Sequence, residues 1–215
     1  MGATQRRERE KQKRREQILD AARKVFAKRG FKGATIEDIA GEAELSTGTL
    51  YLYFKSKDEM YFSLNMKILT FLNEKLQKLK DRKNLSLNRR IRECMTIFLQ
   101  MYDYDPFAVR FLFHIQTGED LRDLSADVKS ELIQLSQTAI RTTAAIITGS
   151  AQEELTVKGH PMALAEILWS VFSGLIIWEE SKAALNGRND YLKRTLDLAA
   201  EIFFRGVTCK DADPT

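Results

Sequence analysis

From Ile18 almost to the C-terminus, apolar side chains return every three or four residues with few interruptions. Ile18, Leu19, Ala22, Val25 and Phe26 begin the series, and Leu192, Leu196, Ala199 and Phe203 close it. That spacing gathers apolar groups on one face of an α-helix, whereas a half-buried strand alternates at every second residue. Only 3 Pro and 11 Gly occur in 215 residues, so helix breakers are scarce and the expected fold is all-α. A hydrophobic share of 44% is enough to bury a sizeable core.

The few breakers and caps divide the chain into about nine helices. Met1 to about Arg15 is charged and nearly free of apolar groups, and reads as a flexible arm leading into the first helix. Gly30, after Arg29, stops that helix. Thr35-Ile-Glu-Asp38 has the form of a capping box and opens a short second helix ending near Glu44. Leu45 sits in a tight turn, and Ser46 caps a third helix through Tyr53. Ser56-Lys-Asp-Glu59 is a second capping box, opening a long helix to about Lys80. Five more helices are expected: Leu87–Tyr104 behind Ser86, Pro106–Thr117, a Ser125-capped helix to about Gly149, Pro161–Leu185, and Asp190–Gly206 after a turn at Asn186–Asn189. Lys210–Thr215 reads as a loose tail.

Charge is unevenly spread along this framework. Residues 1–57 carry 14 Lys and Arg against 8 Asp and Glu, whereas the remainder carries 20 against 22. Cations gathered at one end suit a polyanionic partner, although a solvated arm has the same composition. Anionic lipid is a weaker partner, because the arm has no apolar residues to insert. Cys94 and Cys209 are far apart and form neither a zinc pattern nor a disulfide framework. Two His, no nucleophile elbow and no phosphate loop leave catalysis little to build on, so no enzyme, metal or cofactor is expected. The start of the chain shows no secretory signal, and Met162–Trp178 contains Glu166 and is too short to cross a bilayer. A cytoplasmic protein is expected.

The second and third helices, with the first before them, make a compact helix-turn-helix able to present one helix to the major groove. Leu50 and Phe54, spaced i,i+4, point inward and leave Thr47, Thr49, Tyr51 and Tyr53 for DNA. Gly48 allows close backbone approach. Thr35 and Ser46 stand at helix N-termini, where free N–H groups attract phosphate, and Lys55 and Lys57 add charge. Lys57 lies in a first helical turn, an unfavourable place for a cation unless an anion faces it. Each residue also has a structural reading: Thr35, Ser46 and Ser56 as caps, Tyr51 and Tyr53 as packing groups, Gly48 as idle. The combination at fixed spacing favours DNA.

The stretch GATIEDIAGEAELSTGTLYLYFKSKDEM, Gly33 to Met60, strongly resembles the tetracycline-repressor (TetR) family. Ile18–Phe26 and Gly30-Phe31 are similar to that family's first helix. The resemblance covers about residues 15–65. It implies a homodimeric repressor that leaves double-stranded operator DNA when a small molecule binds. It also implies phosphate contacts from Thr35 and Lys57, and base or backbone contacts from Thr47, Gly48, Thr49, Tyr51 and Tyr53. Thr47 and Tyr53 depart from the Lys and His that many or some members carry, which bears on base preference. Arg6, Arg7, Arg14 and Arg15 are expected to follow the minor groove or backbone.

The division expected is therefore residues 1–57, arm and DNA-binding domain with its motif at 35–54, and residues 58–215, an effector-binding and dimerisation domain. Candidate pocket residues are Met95, Phe98, Met101 and Tyr102, then Phe111 and His114, then Trp169 and Phe172, although residues of these types mostly build plain core. Phe107, Phe113 and Trp178 are further candidates. An apolar lining suits an acyl chain, a flavonoid-like ring system or a lipophilic drug. Small Ser170 and Gly174 on one helix, and the stripe Leu192, Leu196, Ala199 and Phe203 on the last, are the expected four-helix dimer interface. The alternative is a DNA-binding protein with no small-molecule effector.

Overall fold

The computed structural model describes residues 2–115, 126–149, 155–156, 160–186 and 191–209, and within them there are nine helices and no strand. They are α1 (Ala3–Gly33), α2 (Ile36–Glu42), α3 (Thr47–Tyr51), α4 (Lys57–Lys80), α5 (Leu87–Tyr104), α6 (Pro106–Ile115), α7 (Ala126–Thr148), α8 (Pro161–Asn186) and α9 (Leu192–Thr208). Ser125, residues 187–190 and the tail from Lys210, where a cap, a turn and a loose tail are expected, lie outside the described residues.

Two boundaries differ from the sequence expectation for local reasons. The arm expected at the start is helical from Ala3, its long polar residues being good helix formers that prolong a helix already anchored at Ile18. α3 ends at Tyr51 rather than Tyr53, and Leu52 caps it. Gly30 does interrupt α1, with φ 70° and ψ 168°, a conformation almost confined to glycine. The second capping box is offset. Ser56 Oγ accepts from Glu59 N at 3.1 Å, but the Glu59 carboxylate accepts from Lys55 N at 2.6 Å, one residue earlier than the pattern implies.

α4 holds the molecule together. Its N-terminal part packs on α1, and its remainder lies against α5, α6 and, most extensively, α7. Met60, Leu64, Ile68, Leu72, Leu76 and Leu79 recur along its buried side. A single hydrophobic core results, running from Phe26 and Leu50 at the head to Phe98 and Phe172 in the body. The joint is aromatic: Phe26, Phe31, Tyr61 and Phe107 lie with ring centroids 4.4–6.2 Å apart, so the first turn of α6 is built into the head. Beside it Arg23 faces the buried Asp105 at 3.9 Å, and Asp105 Oδ1 accepts from Ala108 N at 3.0 Å to cap α6. On the far side, Arg92 of α5 donates to Glu201 of α9 at 2.6 Å.

α8 corrects the expectation about membranes. It is one 26-residue helix, and Pro161–Lys182 within it is long and apolar enough to span a bilayer by length and composition. Most of that stretch is not buried inside this chain. Ile167, Ser170, Gly174, Ile177 and Trp178 form an exposed stripe along it. The stripe expected on α9 turns inward. Leu196 is buried, and Leu192, Ala199 and Phe203 are half-buried against their own core, because this face of α9 covers α5 and α8. The exposed apolar groups of α9 are Leu198 and Ile202.

Candidate nucleic-acid interface and effector cavity

The helix-turn-helix is fixed by its caps. Thr35 Oγ1 accepts from Asp38 N at 3.1 Å and the Asp38 carboxylate accepts from Thr35 N at 3.2 Å, closing the capping box read from the sequence. Arg29 adds an ion pair to Asp38 at 2.8 Å. α2 ends in a Schellman turn, with Leu45 N donating to Ala40 O and Glu44 N to Gly41 O. The left-handed residue of that turn is Glu44, at φ 56°, where glycine is the usual occupant. Ser46 Oγ then accepts from Thr49 N at 3.1 Å and lies 2.9 Å from Thr49 Oγ1. Leu50 and Phe54 are buried as expected and join the hydrophobic core, with α3 packed on α2.

The outward face is left to Thr47, Gly48, Thr49 and Tyr51. Gly48 and Tyr51 are exposed, and Thr47 and Thr49 are half-buried. A Cβ on Gly48 would meet only Ser46 Oγ, at an ordinary 3.9 Å, so nothing inside the fold requires glycine there. Leu52 was not singled out in the sequence, yet it is 80% exposed beside Tyr51 at 56%. Its signal was its phase, two residues from Leu50 and off the inward stripe. Tyr53 is half-buried and packs against the core, the structural side of its two readings.

Two cations expected at DNA are engaged inside the protein. Lys57 Nζ donates to Phe31 O at 2.7 Å and Ala34 O at 2.8 Å and lies 4.4 Å from the Phe31 ring centroid. The partners that offset its place in a first helical turn are therefore carbonyls at the end of α1, where a cation also suits the helix dipole. Arg15 donates to Tyr53 O at 3.3 Å and Ser63 Oγ at 3.0 Å, with its guanidinium 4.3 Å from the Phe54 ring centroid. It ties α1, the end of α3 and α4 together. Lys55 is exposed.

The body contains a cavity of about 380 Å³ between α4, α6, α7 and α8. Leu69, Leu72, Leu112, Ala139, Ile140 and Trp169 supply its apolar lining, and Ser136, Glu166 and Ser170 supply polar groups. Of the expected pocket residues whose side chains are described, only Trp169 lines it. Met95, Phe98, Met101 and Phe172 are buried core between α5 and its neighbours, where Phe98 meets Trp169 and Phe172 at 5.3 and 5.4 Å. Phe113 joins the same ring cluster, 5.8 Å from Trp169, Phe107 belongs to the joint with the head, and Trp178 is 61% exposed. Tyr102 is buried and its hydroxyl donates to Glu180. The side chains of Phe111 and His114 lie outside the described residues. No group of three His, Cys, Asp or Glu able to hold a metal occurs among the described residues.

Comparison with known proteins places these elements. The family model for bacterial regulatory proteins of the tetR family matches residues 18–64. Over 69 residues the chain is 44% identical to the HTH-type transcriptional regulator YfiR of Bacillus subtilis, covering 32% of each protein. Over 124 residues it is 32% identical to the HTH-type transcriptional repressor NicS of Pseudomonas putida, covering 53% of this chain and 57% of that one. Matches to HbdR of Aromatoleum and KstR2 of Mycolicibacterium smegmatis span only 22% and 33% of those proteins' lengths. The fold extends further than the sequence likeness. The regulator PfmR of Thermus thermophilus superposes with a TM-score of 0.71 at 17% identity, covering 87% of this chain and 97% of that one. FadR of Bacillus subtilis, in complex with stearoyl-CoA, does so with 0.68 at 18% identity, covering 89% and 98%.

Proposed function

We propose that this chain, which belongs to the tetR family of bacterial regulatory proteins through its residues 18–64, is a dimeric, sequence-specific repressor in the cytoplasm. It grips operator DNA with α1–α3, residues 1–57, and is released by a small molecule held in residues 58–215. The observation that carries the reading is the outward face of α3: Thr47, Gly48, Thr49 and Tyr51, with Leu52 beyond them, have no structural duty that accounts for an exposed aromatic and a glycine. Short hydroxyls, an aromatic and an open backbone suit the major groove, where hydrogen-bonding edges and thymine methyls are read. Thr35, Ser46, Tyr53, Lys55 and Lys57 frame that face, and Thr35, Ser46 and Lys57 act first as structural pins.

The exposed apolar stripe of α8, with Leu198 and Ile202 of α9, supports the dimer reading, since a second copy would cover it as a four-helix seam. Two recognition helices must then match half-sites about 34–36 Å apart. The effector is an apolar molecule bearing a hydrogen-bonding group, matched to the leucine-lined cavity and to Ser136, Glu166 and Ser170. An acyl chain is one such class, and FadR was solved with an acyl-CoA. Release requires that the ligand bind better to the state whose recognition helices are wrongly spaced.

Gly48→Ala tests the DNA reading, because fold and function pull in opposite directions. Alanine in place of a helical glycine stabilises the fold by about 0.5–1 kcal/mol. It also places a methyl on the face turned to DNA. Thermal unfolding is expected to rise while affinity for a duplex enriched from a random pool falls. Unchanged affinity together with raised stability would remove α3 from the interface.

A further inference from the structure

We propose that the first three turns of α1 are a rigid basic rail lying along the phosphate backbone that flanks the recognition site, an inference that rests on the DNA-binding reading above. α1 begins at Ala3, yet its first buried side chain is Ile18. Thr4 to Arg14 are all exposed, a length of about 16 Å beyond the packed domain. Six cations lie there, Arg6, Arg7, Arg9, Lys11, Lys13 and Arg14, against Glu8 and Glu10. Arg7 and Lys11 have no side-chain partner among the described residues, and Arg14 meets only the neutral Gln17.

These three cations share a face. Arg7, Lys11 and Arg14 fall at i, i+4 and i+7 and continue the stripe of Ile18, Ala22 and Val25, the side on which α1 packs against the rest of the head. They stand about 6 and 4.5 Å apart along the axis. The rail is rooted beside the candidate interface: Gln17 Nε2 donates to Ala43 O at 2.9 Å at the end of α2, and Arg15 holds Tyr53 O after α3. Pairs within the helix, Arg6 with Glu10 at 3.1 Å and Gln12 with Glu16 at 3.2 Å, support it.

A helix with side chains is about 10–12 Å across, whereas the minor groove is about 6 Å wide, so this segment cannot follow that groove as it stands. Long cations in register suit phosphates, which position a protein without reading sequence. Of the two courses expected for the arm, minor groove or backbone, a helical segment suits the backbone.

The test compares full-length proteins on the duplex enriched from a random pool by the wild-type chain. The triple variant Arg7→Gln, Lys11→Gln, Arg14→Gln is expected to keep its melting temperature and its preferred site. Its slope of log K against log salt should be shallower by ~0.9 for each phosphate no longer neutralised, about 3 phosphates per protomer. Gln12→Pro keeps every cation but breaks the helix at its middle, and is expected to lose much of the same slope. An unchanged slope in the triple variant overturns the rail. So does wild-type affinity in Gln12→Pro, which would mark a flexible arm, or a loss confined to duplexes with A·T-rich flanks, which would mark minor-groove reading. A wild-type chain that enriches no sequence overturns the DNA-binding reading too, whereas with a wild-type chain that enriches a site the rail alone stands or falls with the variants.

Discussion

Lys57→Met separates a structural pin from a phosphate contact. In the structure the ammonium donates to two carbonyls at the end of α1, at 2.7 and 2.8 Å, while its stem lies over Phe31. Methionine keeps most of the stem and removes both hydrogen bonds. A hydrogen bond to a charged group is worth about 1.5–3 kcal/mol, and the half-exposed site lets water recover part of each, so the loss should total about 2 kcal/mol. For a chain of this size that lowers the melting temperature by about 4–8 °C. Circular dichroism against temperature measures it, and DNA binding across a salt series measures the other role. As a pin, Lys57→Met melts early and its salt slope matches the wild-type slope below that temperature. A variant with wild-type melting whose salt slope drops by about 1 per protomer would refute the structural assignment.

Glu44 occupies a left-handed position at the turn between α2 and α3, so Glu44→Gly should raise stability by roughly 0.5–1 kcal/mol, seen as a higher urea midpoint, with Glu44→Val moving it the other way. Burial, aided by the neighbouring Glu93 charge, pushes the Cys94 thiol up to about 12 from its ordinary 9.0. Because the unfolded thiol ionises first, stability from this group is whole below pH 9 and declines by about 1.4 kcal/mol per unit toward pH 12. Cys94→Ala lacks that decline, so the urea midpoints of the two proteins should converge as pH rises from about 9 to 11. A thiol reagent at neutral pH should label the exposed Cys209 and leave Cys94 untouched until the chain unfolds. Trp178→Glu or Ile202→Glu puts a charge on the proposed seam and should convert the dimer to monomer in sedimentation without unfolding it; a wild-type monomer, or a dimer intact in both variants, would remove the seam from α8 and α9.

Local chemistry was legible in the sequence wherever a few adjacent residues decide the outcome. Ser86 caps α5, which runs from Leu87 to Tyr104 as read, and Thr35 with Asp38 closes its box. Leu50 and Phe54 point inward because their spacing leaves no other face. What periodicity cannot supply is the neighbour that covers a face. The stripe of Leu192, Leu196, Ala199 and Phe203 is apolar whatever covers it, and the path of the chain is what puts α5 and α8 against it. Lys57 and Arg15 find carbonyls 23 and 38 residues distant in sequence, a pairing no local pattern encodes. The cavity was misplaced for the same reason. Bulk marked Met95, Phe98 and Met101 as lining, yet bulky groups that fit one another fill space, and the gap opened where α4 and α6 meet α7 and α8.

The aromatic joint and the cavity share one short helix. Phe107, stacked into the head, and Leu112, on the cavity wall, stand five residues apart on α6, roughly 7.5 Å along its axis. Between them there is no loop, glycine or hinge to absorb a displacement. On the proposed effector reading, a ligand that shifts Leu112 is expected to move Phe107, and with it the rings of Phe26 and Tyr61. The proposed signal and the scaffold would then share one piece of backbone, so a substitution that loosens this helix is expected to lower thermal stability and the proposed ligand response together.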